Sequence, residues 1–304
     1  MKKILNAFNI LLKDRRLFFS ILLQKFGFIF PDRFYLCLLF YLKIGKRLNL
    51  KNPKTFNEKL QWLKLYDRKK IYTTLVDKFA VKKYVADKIG EQYVIPTLGV
   101  WENFDDVDFT VLPNRFVMKC THDSGGIVIC KDRNDLDMKK VRNKIMKSMR
   151  RNYYKSYREW PYKNVRPRII VEEYMEDSKT KELRDYKFFC FDGVVQAMFI
   201  ASDRQNERED TKFDFFDKNF NHLALTNGHP NASVLPNKPE KFDEMIHLCE
   251  LLSKGIPQVR VDFYEVDSKV FFGEMTFAHW GGFTPFQPSD WDYKFGSWIT
   301  LPKL

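Results

Sequence analysis

The segment VRVDFYEVDSKVFFGEMT, residues 259–276, decides the fold because its two apolar-rich runs predict a β-hairpin. The two strands are predicted over 259–266 and 270–276. Side chains alternate between the two faces of a strand, so Asp262 shares a face with Arg260. Glu274 lies on the second strand, and the face that it joins depends on how the two strands are paired.

The register of this hairpin decides whether its two carboxylates meet. A two-residue turn would point Glu274 away from Asp262, whereas a three-residue loop at 267–269 places them opposite each other. The same loop pairs Arg260 with Thr276. Like charges opposed across two strands are destabilising, but a divalent cation reverses the sign, and two carboxylates suit Mg²⁺. We therefore expect the three-residue loop and a metal site; the alternative is a solvated acidic face.

Outward from the hairpin, helical patterns alternate with short apolar runs. Thr55-Phe56-Asn57-Glu58 is a capping box that opens a helix, and Gly90 ends the next helix. Asp192-Gly193 is a two-residue hairpin turn. Because hairpins dominate the second half, we expect an antiparallel sheet with segregated helices, an α+β fold. Helices are predicted from residue 55 and over 72–89, 138–151 and 240–254, and further strands over 94–100, 116–120, 127–131, 169–173, 186–191 and 194–200.

Residues 1–50 form a basic segment that is rich in apolar residues. They carry ten lysines and arginines against Asp14 and Asp32, and their uncharged runs reach only nine residues. A membrane-spanning helix needs about 20 apolar residues, so the segment predicts no such helix, and no signal-peptide cleavage site follows its apolar runs. Two interpretations stay open: helices that lie on an anionic membrane surface, or a basic helical pair packed on the body of the protein.

Cysteine and histidine usage excludes two kinds of site. The five cysteines are scattered without a C-x-x-C pair, and the five histidines lack metal-ligand spacing. This pattern argues against a disulfide framework and a zinc site, and it favours a reducing compartment. We expect a cytoplasmic protein, peripheral on the inner face of the cell membrane if residues 1–50 touch lipid.

A lysine and a glycine-containing loop follow one another in residues 116–131. Lys119 lies in the middle of an apolar strand, where a buried ammonium group needs an anionic partner. The loop Ser124-Gly125-Gly126 comes soon after, and glycines let backbone amides approach phosphate oxygens closely. A phosphate site and an ordinary flexible turn are both compatible with this loop.

Several longer stretches, taken in order, resemble one family. They read NPKTFNEKLQWLKLYDR from Asn52, then SGGIVICKD, IIVEEYMED, DYKFFCFDG, VRVDFYEVD and FGEMTF. From about Tyr35 to the C-terminus the chain resembles the ATP-grasp superfamily, and within it the TupA-like branch associated with teichuronopeptide and other surface-polysaccharide biosynthesis. The resemblance implies an ATP-grasp fold with antiparallel sheets flanked by helices. The expected division is a basic helical segment 1–50, an N-terminal lobe 51–114, a lid 115–175 with the glycine loop, and a C-terminal subdomain 176–304 with the metal site.

The resemblance also implies a site for ATP and Mg²⁺, in which Arg260 and Lys119 take part in catalysis. The expected nucleotide-binding residues are Lys78, Lys119, Ser124, Gly125, Gly126, Glu172, Glu173, Met175, Asp185 and Lys187. The expected metal ligands are Asp262, Glu274 and Thr276. Many ATP-grasp ligases have Asn as the third of these ligands, so Thr276 is a departure from the family pattern.

The reaction implied is ATP-dependent ligation of a carboxylate to an amine through an acyl phosphate, in surface-polysaccharide biosynthesis. One alternative is a glycosyltransferase of the same pathway that uses a nucleotide sugar, and another is a non-catalytic basic protein that binds membrane or nucleic acid. Residues 138–158 contain nine lysines and arginines and no acidic residue. This stripe would attract an acidic saccharide or amino-acid substrate, unless it is simply a solvated helix face. No nucleic-acid-reading motif is present, so we expect no nucleic-acid partner.

Overall fold

The computed structural model describes residues 14–178, 183–202 and 210–303, so predictions for residues 1–13 fall outside the described chain. Two antiparallel sheets with helices packed against them confirm the α+β prediction. The helices are α1 Arg15–Phe26, α2 Asp32–Ile44, α3 Phe56–Tyr66, α4 Ile71–Val76, α5 Ala80–Ile89, α6 Met138–Met149, α7 Tyr154–Tyr157, α8 Phe242–Ser253 and α9 Asp290–Trp298. Short 3₁₀ turns span Gly27–Ile29, Glu91–Tyr93, Phe104–Asp106, Arg133–Asp135, Trp160–Tyr162 and His279–Gly282.

The strands form a four-stranded and a six-stranded sheet. They are β1 Thr97–Trp101, β2 Phe116–Cys120, β3 Ile127–Cys130, β4 Ile169–Glu173, β5 Asp185–Phe191, β6 Val194–Ser202, β7 Lys212–Asp217, β8 His222–Leu223, β9 Val259–Val266 and β10 Lys269–Thr276. The small sheet has the order β1-β4-β2-β3, and the large sheet has the order β10-β9-β5-β6-β7-β8. Strand β1, which lies in the predicted N-terminal lobe, thus pairs with the strands of the predicted lid.

Apolar side chains cover both faces of the large sheet. On one face, residues such as Phe188 and Val261 pack with Leu252 of α8. On the other face, Phe189 and Phe199 pack with residues of α3 and α9. The small sheet is covered by α6 and has a core of its own. The polar residues of the site must therefore interrupt otherwise apolar strand faces.

The helix predicted over 72–89 is divided into α4 and α5, which corrects that prediction. Asp77 lies at the break, where its Oδ1 accepts hydrogen bonds from the amides of Phe79 and Ala80. The amide of Lys78 donates to the carbonyl of Thr121, 3.1 Å away. These bonds satisfy the amides at the start of α5, and they fix Lys78 against the end of β2. Gly90 ends α5, as predicted.

In the hairpin of β9 and β10 the predicted pairing is confirmed, but the predicted turn is wrong. Glu274 lies opposite Asp262 and Thr276 opposite Arg260, which confirms the pairing. The turn, however, contains two residues rather than three, because Val266 pairs with Lys269. Its two residues, Asp267 and Ser268, have φ angles of 49° and 59°, as a two-residue hairpin turn requires.

A β-bulge at Gly273 reconciles the short turn with the pairing. Without it, β10 would alternate regularly and Glu274 would share a face with Phe272, which is buried in the core against α8. The extra residue puts Phe272 and Met275 in that core and turns Glu274 to the face of Asp262. A Cβ atom at position 273 would lie 3.0 Å from the carbonyl oxygen of Asp262. The close approach of the two strands explains the glycine.

The helices α1 and α2 form a hairpin on the body of the protein. Tyr35, Leu36, Leu39 and Phe40 of α2 are buried and pack with Leu23 of α1 and Phe283. Helix α2 is thus packed on the body of the protein, whereas much of α1 stays exposed, and both interpretations of this segment stay open. Within the described residues, no helix is both long and apolar enough to cross a membrane.

Candidate active site

A row of charged side chains crosses three strands of the large sheet. Lys187 of β5 pairs with Asp262 of β9, which pairs with Glu274 of β10. The ammonium group of Lys187 contacts Asp262 directly and lies 3.2 Å from Asp185. The lysine and both aspartates are buried, whereas the side chain of Glu274 is 36% exposed. The row therefore places one accessible carboxylate beside an enclosed charge network.

The guanidinium group of Arg260 joins the three predicted metal ligands. Its Nη2 lies 2.8 Å from Asp262 Oδ2, 3.3 Å from Glu274 Oε1 and 3.0 Å from Thr276 Oγ1. Its Nε donates a further hydrogen bond to Asp262 Oδ1 at 2.7 Å. The three ligand oxygens thus converge on a single cationic nitrogen.

His279 forms a hydrogen bond with Arg260, and no motif or spacing in the sequence indicates this contact. Burial, and then the charges of Arg260 and Lys187, hold the pKa of His279 well below its ordinary value, so its ring is neutral. Arg260 Nη1 can only donate, so His279 Nδ1 accepts this bond of 2.8 Å. Its Nε2 then carries the proton and donates to Asn227 Oδ1, 3.0 Å away. The chain Asn227–His279–Arg260 fixes the guanidinium plane.

The cations around Glu274 favour the ionised form of its carboxyl group. Burial by itself raises the pKa of this carboxyl, but the cations around it outweigh burial and bring the pKa to about 2. The contributing cations are Lys78, Lys187, Arg260 and Lys119. The same positive charges would attract an anionic ligand such as a phosphate group.

A second cluster lies on the small sheet, around Glu172 of β4. Lys119 Nζ and Lys82 Nζ each lie 2.6 Å from one of its carboxylate oxygens. Lys119 has the anionic partner that its mid-strand position predicts; Lys82 was not predicted, although it lies one helical turn after Lys78. Glu173 is exposed on the opposite strand face, and Met175, at intermediate exposure, follows the end of β4. Of the two predicted glutamates, only Glu172 therefore joins the lysines.

The loop between β2 and β3 contacts Lys78, which also lies beside the large-sheet row. Lys78 Nζ donates to the carbonyl of Asp123 at 2.9 Å and lies 3.8 Å from Glu274 Oε2. The amides of Ser124 and Gly125 donate to Asp123 Oδ1, so they are already engaged within the loop. Gly126 packs so closely on Ser148 of α6 that a Cβ atom would clash with it. Lys78 therefore contacts both the predicted lid loop and the large-sheet row.

The donor set of the large-sheet row fits Mg²⁺. Asp262, Glu274 and Thr276 offer hard oxygen atoms, and their convergence on Arg260 Nη2 shows that one cationic group can satisfy all three. No group of three or more His, Cys, Asp or Glu side chains with metal-binding geometry occurs in residues 14–178, 183–202 and 210–303. Two carboxylates and one hydroxyl are a partial set of ligands for Mg²⁺, which takes its remaining oxygen ligands from water and phosphate.

A family profile described as TupA-like ATPgrasp matches residues 58–300. The chain belongs to the TupA-like ATP-grasp family. This membership confirms the resemblance and the ATP-grasp fold expected from the sequence motifs. The predicted site residues fall within the matched range, and they lie on strands of both sheets and in the segments beside those strands. Their individual roles stay predictions.

Solved structures similar to this TupA-like chain include D-alanine–D-alanine ligases and the ATP-grasp ligase PsnB. The D-alanine–D-alanine ligase of Bacillus anthracis complexed with ATP has 14% identity and a TM-score of 0.41, covering 67% of this chain and 55% of that chain. The corresponding enzyme of Helicobacter pylori has 12% identity and a TM-score of 0.44, with coverages of 83% and 68%. The ATP-grasp ligase PsnB, complexed with minimal precursor, Mg and ADP, has 11% identity and a TM-score of 0.40, with coverages of 72% and 57%. The chain thus spans little more than half of the first and third. No curated protein matches it significantly.

Proposed function

We propose that this chain is an ADP-forming, ATP-dependent carboxylate–amine ligase. The observation that carries the proposal is the convergence of Asp262, Glu274 and Thr276 on one cationic group, beside Lys187 and Lys78. Oxygen ligands beside several cations suit a metal-bound nucleotide, because phosphate oxygens need both. Family membership supports the same reaction class.

ATP and Mg²⁺ are the proposed cofactors. Asp262, Glu274 and Thr276 would hold the ion, which supplies charge neutralisation on phosphoryl oxygens when bound. Lys78, Lys187 and Arg260 are placed to add to that neutralisation, because each lies in or beside the same row. Lys119, fixed by Glu172, would meet the nucleotide from the small sheet.

The proposed reaction has two steps. A substrate carboxylate oxygen bonds to the γ-phosphorus of ATP while the bond from that phosphorus to the β–γ bridging oxygen breaks, giving an acyl phosphate and ADP. An amine nitrogen then bonds to the acyl carbon, the carbon–oxygen bond to phosphate breaks, and the nitrogen releases a proton. This chain would position its charged side chains around the phosphoryl group, and the loop that contains Ser124 would exclude water.

The proposed substrate is an acidic saccharide or amino acid of surface-polysaccharide biosynthesis. The basic stripe of residues 138–158 supports an acidic substrate, because all but one of its cations are exposed. Arg158, the exception, is buried against α1 and α2, and Arg142 pairs with Asp105. Five free cysteines and the use of ATP support a location in the cytoplasm.

The test is ADP release, screened over pairs of uronates and amino acids, for the wild type and Glu274→Gln. Loss of this accessible carboxylate should lower ADP release by about 100-fold or more. The matched control is Glu265→Gln, which alters a carboxylate of the same strand pair on the opposite face. It should keep wild-type ADP release.

A binding titration separates the ligase from the glycosyltransferase alternative. The wild type should bind ATP in the presence of Mg²⁺, and Asp262→Asn should not. Binding of a UDP-sugar in place of ATP would contradict the ligase. Equal ADP release by Glu274→Gln and the wild type would reject the proposed metal site.

A further inference from the structure

The outer side of α1, with the turn that follows it, is an exposed apolar surface. Phe28 and Ile29, in the turn Gly27–Ile29, are 64% and 69% exposed. The residues of this N-terminal apolar surface are Leu17, Phe19, Ile21, Leu22, Phe26, Phe28, Ile29, Phe30 and Phe34. Large apolar side chains that are exposed together in one segment are unusual on a protein exterior and indicate an interaction surface.

The surface is fixed to the body of the protein. Arg158, which is 3% exposed, donates from Nη2 to the carbonyl of Gly27 at 2.8 Å and lies 3.1 Å from Asp32. Tyr35 donates from its hydroxyl to the carbonyl of Ser156 at 2.8 Å, and its ring stacks under the Arg158 guanidinium. The helical hairpin is thus held in one orientation while its outer side stays bare.

The segment that contains the apolar surface is rich in positive charge. The basic residues between positions 14 and 47 are Arg15, Arg16, Lys25, Arg33, Lys43, Lys46 and Arg47. The acidic residues in the same range are Asp14 and Asp32, and Asp32 is already paired with Arg68 at 2.9 Å and with Arg158. An apolar surface on a basic segment complements a bilayer whose headgroups are anionic. Two copies of this surface would instead bring like charges together.

We propose that the N-terminal apolar surface docks on an anionic lipid bilayer, with Phe28 and Ile29 entering the headgroup region. Helix α1 has 12 residues, too short to cross the bilayer, so it lies along the interface. Through Arg158 and Tyr35 the docked hairpin contacts the segment that leads to Trp160–Tyr162, beside the site. This docking does not depend on which reaction the site performs.

Vesicle co-sedimentation of the full chain tests the docking. The wild type should pellet with vesicles of phosphatidylcholine mixed with phosphatidylglycerol and much less with phosphatidylcholine alone. The double variant Phe28→Asp/Ile29→Asp should lose about tenfold or more of its partitioning, because two charges would enter the interface. The double variant Arg15→Glu/Lys25→Glu should bind less to the anionic vesicles, and its weak binding to phosphatidylcholine vesicles should not change.

The matched control is Val111→Asp/Val234→Asp, which places the same two charges on equally exposed apolar positions, 73% and 80% exposed. It should pellet like the wild type. Equal pelleting of the Phe28→Asp/Ile29→Asp variant would overturn the proposal. A second outcome would also overturn it: the wild type does not bind vesicles, sedimentation velocity shows it as a dimer, and the Phe28→Asp/Ile29→Asp variant is a monomer. The surface would then join two copies of the chain.

Discussion

At the scale of single residues, Glu172 shows how the fold tolerates buried charge. Its carboxylate is 6% exposed and contacts Lys119 and Lys82, one on each oxygen. Burial would raise the pKa of Glu172, but the two lysines outweigh burial and hold the pKa below its ordinary value of 4.5. The ionised form is therefore part of the stability of the small sheet.

This arrangement predicts a pH-dependent cost for Glu172→Gln. The depressed pKa means that the stabilisation is fully present above pH 4.5 and is lost as the pH falls through the lower pKa of the folded state. We expect the variant to lose about 3 kcal/mol of unfolding free energy at neutral pH. The loss should shrink steadily below pH 4.5, where the wild-type carboxylate also becomes neutral.

Urea denaturation of both proteins across this pH range measures the difference. Glu173→Gln is the control, because Glu173 is exposed on the other face of the same strand. It should show a small difference at every pH. A loss for Glu172→Gln that does not change with pH would mean that the side chain acts through packing alone.

At the scale of elements, the sequence predicts correctly the caps and turns whose hydrogen bonds form between neighbouring residues. The capping box of Thr55 and Glu58 forms as predicted, with both reciprocal hydrogen bonds. The turn at Asp192-Gly193 joins β5 to β6. Such features depend on neighbouring residues, so a short window of sequence contains their cause.

Features that depend on distant packing were missed or read wrongly. The break at Asp77 depends on Thr121, and Lys82 finds Glu172 across 90 residues of chain. His279 meets Arg260 only because β10 returns beside β9. The bulge at Gly273 lets Phe272 be buried in the core while Glu274 faces the site. Regular alternation would place these two residues on the same face. Strand periodicity therefore predicts the correct partner of Asp262, but from a turn of the wrong length and without the bulge.

Substitution of Gly273 tests the bulge. Gly273→Ala would place a Cβ atom 3.0 Å from the Asp262 carbonyl oxygen and 3.2 Å from the ring of Tyr264. We expect a loss of about 1–3 kcal/mol in unfolding free energy, since backbone leaves little room to adjust. Thermal and urea unfolding measure it, with Gly125→Ala as control because its added Cβ meets nothing closer than 3.7 Å. Equal stability of the two variants would contradict the packing argument.

At the scale of the whole molecule, one buried arginine attaches the helical hairpin to the rest of the chain. Arg158 bonds to the carbonyls of Gly27 and Lys155, lies beside Asp32, and covers the ring of Tyr35. These contacts join α1 and α2 to the turn that follows α7. Loss of the arginine should therefore loosen the hairpin before the two sheets.

Arg158→Met is the corresponding prediction. Methionine keeps much of the buried volume but removes the charge and the donors, which should cost about 2–3 kcal/mol. Limited proteolysis should cut within α1 faster than in the wild type while the sheet core stays resistant. Arg150→Met, at an exposed arginine nearby, should leave both stability and proteolysis unchanged. Uniform destabilisation without faster cleavage of α1 would show that the hairpin and the sheets unfold together.

The bulge at Gly273 works like a frameshift within strand β10. Before it, even-numbered residues such as Phe272 belong to the core; after it, even-numbered residues such as Glu274 belong to the site. A three-residue turn without the bulge would give the same partner to Asp262 but would exchange the core residues of the first half. When related chains are compared, a one-residue gap at position 273 would therefore remove the bulge, and regular alternation would still place the carboxylate that follows Phe272 opposite Asp262.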